Sequence, residues 1–270
     1  MEKMMRSTGT NAFIALALAM SMSLTSLQAR EITVPSGSIL TIQQGVDAAA
    51  PGDTVTVLPG IYDAVTIFPN KPGLKLKASG PPGSIQVVGL GTPAFNVGID
   101  VQADNVSVQG FVVSEATIGI RIVGTSQGVT VTGNAVGNLA NAETTAVRVE
   151  SSAGAEVTQN TTFGNSAGDG INVYMCSNIH VDHNGMGFIL LTDATGCEVD
   201  HNTVEGGGIS LNSGDDQSHI HHNEANGASI GIFVLSSADC TLDHNDADNN
   251  SEFGIYCQGF RIGYILLDKG

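Results

Sequence analysis

Along the second half of the chain, apolar and polar residues alternate in runs of three to six, and each run is closed by a turn. One phrase, apolar-x-apolar-x-x-Asn in its fullest form, returns as VTVTGN ending at Asn134, AEVTQN at Asn160, IHVDHN at Asn184, CEVDHN at Asn202, SHIHHN at Asn223 and CTLDHN at Asn245. The asparagines follow one another at 26, 24, 18, 21 and 22 residues. Between them lies a second phrase, a small residue followed by alternating apolar positions: GIRIV from Gly119, AVRVE from Ala146, GINVY from Gly170, GFILL from Gly187, GISLN from Gly208, GIFVL from Gly231 and GIYCQ from Gly254. Alternation with period two puts every second side chain on one face of a strand, and the inward set is rich in the β-branched residues that strands favour. No helical apolar period interrupts these phrases.

A unit of about 22 residues with two or three short strands cannot bury its own apolar face, whereas stacked units share a continuous core. The pattern therefore predicts an all-β solenoid. Asparagine at one corner of every coil has a physical reason. A tight bend leaves backbone groups unpaired, and a side-chain amide can satisfy them while bonding the amide of the next coil, about 4.8 Å away. Towards the N-terminus, TIQQGVDAA from Thr41 reads as a short amphipathic helix with Thr41 as N-cap. It follows an exposed opening, EITVPSGS, and precedes the turn PGD and the strands TVTVLPGIY and AVTIF. This helix would cover the apolar end of the solenoid. The other end, RIGYILLDKG, carries no such device, which reads as a truncated chain or an end capped by a partner.

Composition narrows the setting. Residues 1–29 combine Lys3 and Arg6, an apolar run from Ala12 to Met22 and a polar exit to Ala29, the plan of a signal peptide. The run falls short of the roughly 20 residues of a membrane span. The expected organisation is thus a signal peptide over 1–29 and one domain over 30–270, with a cap at about 30–60 and coils at about 61–260. The expected location is secreted or periplasmic, without membrane insertion. Loss of Lys3, Arg6 and Glu2 moves the formal charge from -16 to -17, a sign that repels nucleic acid and anionic lipid. Cys197 and Cys240 occupy the same inward position two coils apart, roughly 9.6 Å, beyond disulfide reach. Cys176 and Cys257 have no obvious partner either, so four free thiols are expected.

The opening TIQQGVDAAAPGDTVTVLPGIYDAVTI, the following LKLKASG and the Asn-tipped coils resemble the pectin lyase-like superfamily. They are most similar to its PbH1-repeat proteins, including the periplasmic NosD-like branch, and the resemblance runs from Ile32 to Phe260. It implies a single-stranded right-handed parallel β-helix. The superfamily includes lyases, hydrolases, uronate epimerases and non-catalytic members, so the fold leaves the activity open. The NosD-like branch is associated with copper delivery.

In a solenoid, the outward residues of one strand stack form a ruler along which a linear polymer can lie. The outward column of the Gly-led strand reads Arg121, Arg148, Asn172, Ile189, Ser210, Phe233, Tyr256, and the next reads Val123, Glu150, Tyr174, Leu191, Asn212, Leu235, Gln258. Arg121 and Arg148 are the only cations between Lys77 and Arg261 and fall on neighbouring coils. Stacked guanidinium groups call for an anion, and the Arg fork suits a carboxylate. The expected substrate-binding set is Arg121, Arg148, Glu150, Asn172 and Tyr174, reading an anionic (uronate) polysaccharide. The plainer alternative is an ion pair of the arginines with Glu150, Glu143 or Glu115.

Other chemistry is thinner. All seven histidines lie between His180 and His244, and His183, His201, His222 and His244 immediately precede ladder asparagines. Such a column resembles a metal string, but stacked imidazoles project in parallel, so a turn role is expected and no metal ligand is assigned. Asp215 and Asp216 resemble the paired carboxylates of β-helix glycoside hydrolases, yet the GHG and RIK that accompany them in that family are missing, which favours a turn role. A lyase or epimerase needs a base and a carboxylate neutraliser, calcium or Arg; the epimerase DPHD motif is not present. The reading is a polysaccharide binder. A uronate lyase or epimerase, with calcium as the possible cofactor, and a copper-handling protein stand as alternatives.

Overall fold

The computed structural model describes residues 28–89, 96–137, 145–164, 170–259 and 264–265. Nearly all of the expected signal peptide, Glu143 and most of RIGYILLDKG lie outside the described residues. Successive strands fall in turn onto three parallel sheets of 11, 9 and 8 strands, here called sheets I, II and III. Sheet I begins with Glu31–Val34 (β1) and ends with Tyr264–Ile265 (β28), and it carries the Asn-tipped phrases. Sheet II, from Val65–Ile67 (β4) to Phe253–Gln258 (β27), carries the Gly-led phrases. Every strand pairs in parallel with its equivalents in the adjacent coils, so the chain is a right-handed parallel β-helix.

The core follows from the alternation. Val108, Val131, Val157, Val181, Val199, Ile220 and Leu242 occupy the inward column of sheet I, and Ile99, Ile120, Val147, Ile171, Ile189, Ile209 and Ile232 one inward column of sheet II; all are essentially without solvent exposure. The Gly-led corner is tight: a β-carbon at Gly119 would lie 2.2 Å from Val136 Cγ1 and 2.7 Å from the Ala146 carbonyl.

The asparagine ladder forms as the repeat requires. Asn184 Nδ2 donates to Asn202 Oδ1 at 2.9 Å, to its own coil at the Asp182 carbonyl and to the preceding coil at the Val157 carbonyl. The same arrangement links Asn134, Asn160, Asn184, Asn202, Asn223 and Asn245. Each Oδ1 from Asn160 to Asn245 also accepts the backbone N–H of the preceding ladder residue. Buried amides are thereby paired throughout, which is why no other side chain replaces them.

At the N-terminus the helix Ile42–Ala48 (α1) starts at Thr41 with a full capping box, the Gln44 side chain returning to the Thr41 N–H. It buries Ile42, Gly45 and Val46 against the first coils. The opening segment is more than an exposed lead: Glu31–Val34 pairs in parallel with Thr54–Val57 as the edge strand of sheet I, and Val34 is buried. Asp53 fastens it, accepting from the backbone of Arg30 and Ala50 and from the Arg30 guanidinium, which holds its carboxyl below the usual range. Among the described residues, no helix is long and apolar enough to cross a membrane.

Candidate functional site

Strand pairing on sheet II fixes the outward column as Thr66, Asp100, Arg121, Arg148, Asn172, Leu190, Ser210, Phe233 and Tyr256. The neighbouring column reads Val123, Glu150, Tyr174, Thr192, Asn212, Leu235 and Gln258. The five expected residues thus share one face. The expectation fails in one coil, where Leu190 and Thr192 point outward in place of Ile189 and Leu191, which are buried. The cause is a one-residue slip. Phe188, not Gly187, occupies the corner position, its carbonyl receiving the Ile171 N–H, so an anchor on glycine misreads this coil, the shortest of the series.

The two arginines have different surroundings. Arg121 reaches back one coil to Asp100, donating through Nε and Nη2 at 2.9 and 3.0 Å, and these hydrogen bonds raise its pKa against the opposing effect of burial. Asp100 is buried and also accepts from Gln102. Sequence reasoning missed this partner, although GID from Gly98 continues the Gly-led phrase one coil earlier. Arg148 is in ionic contact with Glu150, two residues along its own strand, and its side chain is about one-third exposed. Its Nε forms no well-aligned hydrogen bond among the described residues. Of the carboxylates expected as alternatives, Glu150 is therefore a partner, and Glu115, at a corner with a positive φ, forms no ion pair with either arginine among the described residues.

Beyond Arg148 the face becomes neutral and then aromatic. Asn172 and Tyr174 follow, the latter 39% exposed. At the far end Phe233 stacks on Tyr256 with centroids 5.8 Å apart, and Phe253 lies 5.0 Å from Tyr256. The rulers contain no wall of long loops among the described residues. Two surface concavities, about 340 Å³ beside Arg30 and Lys77 and about 220 Å³ beside Thr162 and Thr203, lie away from this face.

A second polar face lies on the outside of sheet I. His183, His201, His222 and His244 all adopt positive φ at the corner before the ladder asparagine, and their rings stack 4.8 to 5.0 Å apart within 7° of parallel. They do not converge, as the repeat geometry implied. On the strands of sheet I, His180, Glu198 and His219 form one outward column and Asp200, His221 and Asp243 a second, and the two are cross-linked: His180 Nε2 contacts Asp200 at 2.7 Å, His219 Nε2 contacts Asp243 at 2.8 Å and His221 Nε2 contacts Glu198 at 3.1 Å. Burial opposes charge on His180, but Asp200 outweighs it and raises its pKa.

The aspartate pair is split by its turn. Asp215 is fully buried and accepts the Ala194 N–H of the preceding coil, whereas Asp216 accepts the Ala238 N–H of the following one. The two carboxylates staple adjacent coils in opposite directions and do not face a common substrate position. The four cysteines are free, three of them buried.

The family described as right handed beta helix region matches residues 98–264. No curated protein sequence matches the chain. Among solved structures, an alginate lyase from Paenibacillus sp. str. FPU-7 is similar with a TM-score of 0.65 and 13% identity, over 86% of this chain and 99% of that one. A polygalacturonase from Erwinia carotovora ssp. carotovora is similar with a TM-score of 0.61 and 11% identity, over 92% and 98%. At such identities the likeness is one of fold.

Proposed function

The chain belongs to the right-handed β-helix family, and from that premise we propose that it binds an anionic polysaccharide outside the cytoplasm, lying along the outer face of sheet II. The observation that carries this reading is the continuous outward column from Arg148 through Asn172, Leu190 and Ser210 to Phe233 and Tyr256. Consecutive positions are about 4.8 Å apart, so the column presents a charged end, a middle in which Asn172 and Ser210 flank Leu190, and an aromatic end to one extended chain.

The roles follow from the surroundings. Arg121 is committed to buried Asp100 and positions that end of the face. Arg148 is the cation available to a uronate carboxylate, because its contact with Glu150 forms no aligned hydrogen bond at Nε and its side chain stays about one-third exposed. Glu150 would turn aside when the sugar carboxylate enters, and Asn172 and Tyr174 would bond sugar hydroxyls. Phe233 and Tyr256 offer apolar ring faces to sugar C–H groups. Two of the structures similar in fold are named for alginate and polygalacturonate, which supports the same polymer class here. Residues 1–29, read as an export signal, would bring the protein to such polymers.

The test is a binding and product screen of the full-length chain with its leader removed. Pectate, alginate and a neutral glucan are offered with and without calcium. Retention on the uronate polymers with unchanged chain length supports a binder; shortened or unsaturated products would move the reading to a lyase, and altered uronate composition to an epimerase. No retention on any polymer would refute it.

A further inference from the structure

We propose that Glu198, His219 and His221 form a site for one divalent cation of borderline softness, with zinc as the reference ion, on the outer face of sheet I. Each of the three offers one ligand atom, and these atoms all lie within 4.8 Å of one another. The convergence comes from strand geometry. His219 and His221 are two apart on the strand His219–His221 (β23), so both rings leave the same face, and Glu198 lies directly opposite His219 on the strand Glu198–Asp200 (β20).

Ligand nitrogen and oxygen atoms at 2.0–2.1 Å from a tetrahedral zinc stand about 3.3 Å apart. His221 Nε2 and Glu198 Oε1 are already at 3.1 Å. The His219 ring lies 4.1 Å from that of His221, centroid to centroid, and a small side-chain adjustment closes the set. Outer groups hold both rings: Asp243 Oδ1 is 2.8 Å from His219 Nε2, and His222 Nδ1 is 2.9 Å from His221 Nδ1. A carboxylate partner such as Asp243 orients a metal-binding histidine. Two imidazoles with one carboxylate suit zinc over calcium or magnesium, which take oxygen ligands.

The neighbouring groups select this trio. The stacked column of His183, His201, His222 and His244 keeps its rings parallel and cannot wrap one ion. Asp200 is engaged by both His180 and His201, and it adds negative potential beside the site. The Glu198 side chain is 51% exposed, so a cation held there keeps an open position for water or another ligand.

Zinc is titrated into the metal-stripped full-length chain by calorimetry, and cobalt(II) is followed by its visible absorption. One zinc per chain is expected, with affinity at least tenfold weaker in Glu198→Gln and His221→Ala and unchanged in His183→Asn. Four-coordinate cobalt(II) should give intense visible absorption. Circular dichroism checks that each variant is folded; if His221→Ala is not, His219→Gln takes its place. Absence of saturable zinc binding, full affinity in the folded variants, or only the weak absorption of hydrated cobalt would overturn the site.

Discussion

Asp100 and Arg121 lie on neighbouring coils with their side chains locked in a two-point ion pair, and Asp100 is buried. The pair sits at one end of the outward column and takes Arg121 out of competition for ligand. Asp100→Ala would leave a half-buried guanidinium without its counter-charge, a cost between that of an exposed pair and that of a buried one. A loss of about 1–3 kcal/mol in unfolding free energy is expected from denaturant titration, while Arg121→Ala should change polymer affinity little.

The ladder supplies a second prediction. Asn202→Ala removes donors to the Val181 and Asp200 carbonyls and the acceptor of the Asn184 N–H. Unsatisfied buried groups of this kind cost about 1–3 kcal/mol. Asn245→Ala, at a half-buried position two coils nearer the end of the ladder, should cost less. Equal unfolding midpoints for wild type and Asn202→Ala would contradict the ladder's role.

Burial pushes the Asp215 carboxyl up to about 7, with the nearby Asp193 and Asp216 charges adding to the effect and the Ala194 and Asn212 backbone opposing it. The folded protein then holds a proton between pH 4 and 7 that the unfolded chain has released. Stability contributed by protonated Asp215 is complete below about pH 4 and is lost as pH rises to 7. Asp215→Asn, which mimics the protonated form, should gain on wild type by up to about 1.4 kcal/mol per pH unit across that window, and by nothing further above it. A difference independent of pH would refute the shift.

The thiols should be unreactive in the native state. Burial raises the pKa of Cys176, Cys240 and Cys197, the last to about 11, and Cys257 is only partly buried. A thiol reagent at neutral pH should modify Cys257 first and the other three only on unfolding, and reductant should leave the unfolding midpoint unchanged.

How far the sequence revealed the molecule depended on whether a feature lay within one phrase or between phrases. Asn134 to Asn245, the Thr41 cap and the inward valines announce themselves locally, because each carries its own turn or period. The slip at Phe188 did not, since its cause is the shortness of its own coil, which shows only against the register of its neighbours. Asp100 and Glu198 were missed for a related reason. Their importance comes from which residue faces them one coil away, Arg121 and His219, and only strand register supplies that.

The most direct measurement is the affinity of defined oligouronates for wild type, Arg148→Ala and Arg121→Ala by calorimetry at low salt. Loss of a charge-assisted contact at Arg148 should weaken binding about tenfold or more, roughly 1.4 kcal/mol, with Arg121→Ala close to wild type. Undiminished affinity in Arg148→Ala, or equal losses in both variants, would contradict a carboxylate site at Arg148 on the face of sheet II.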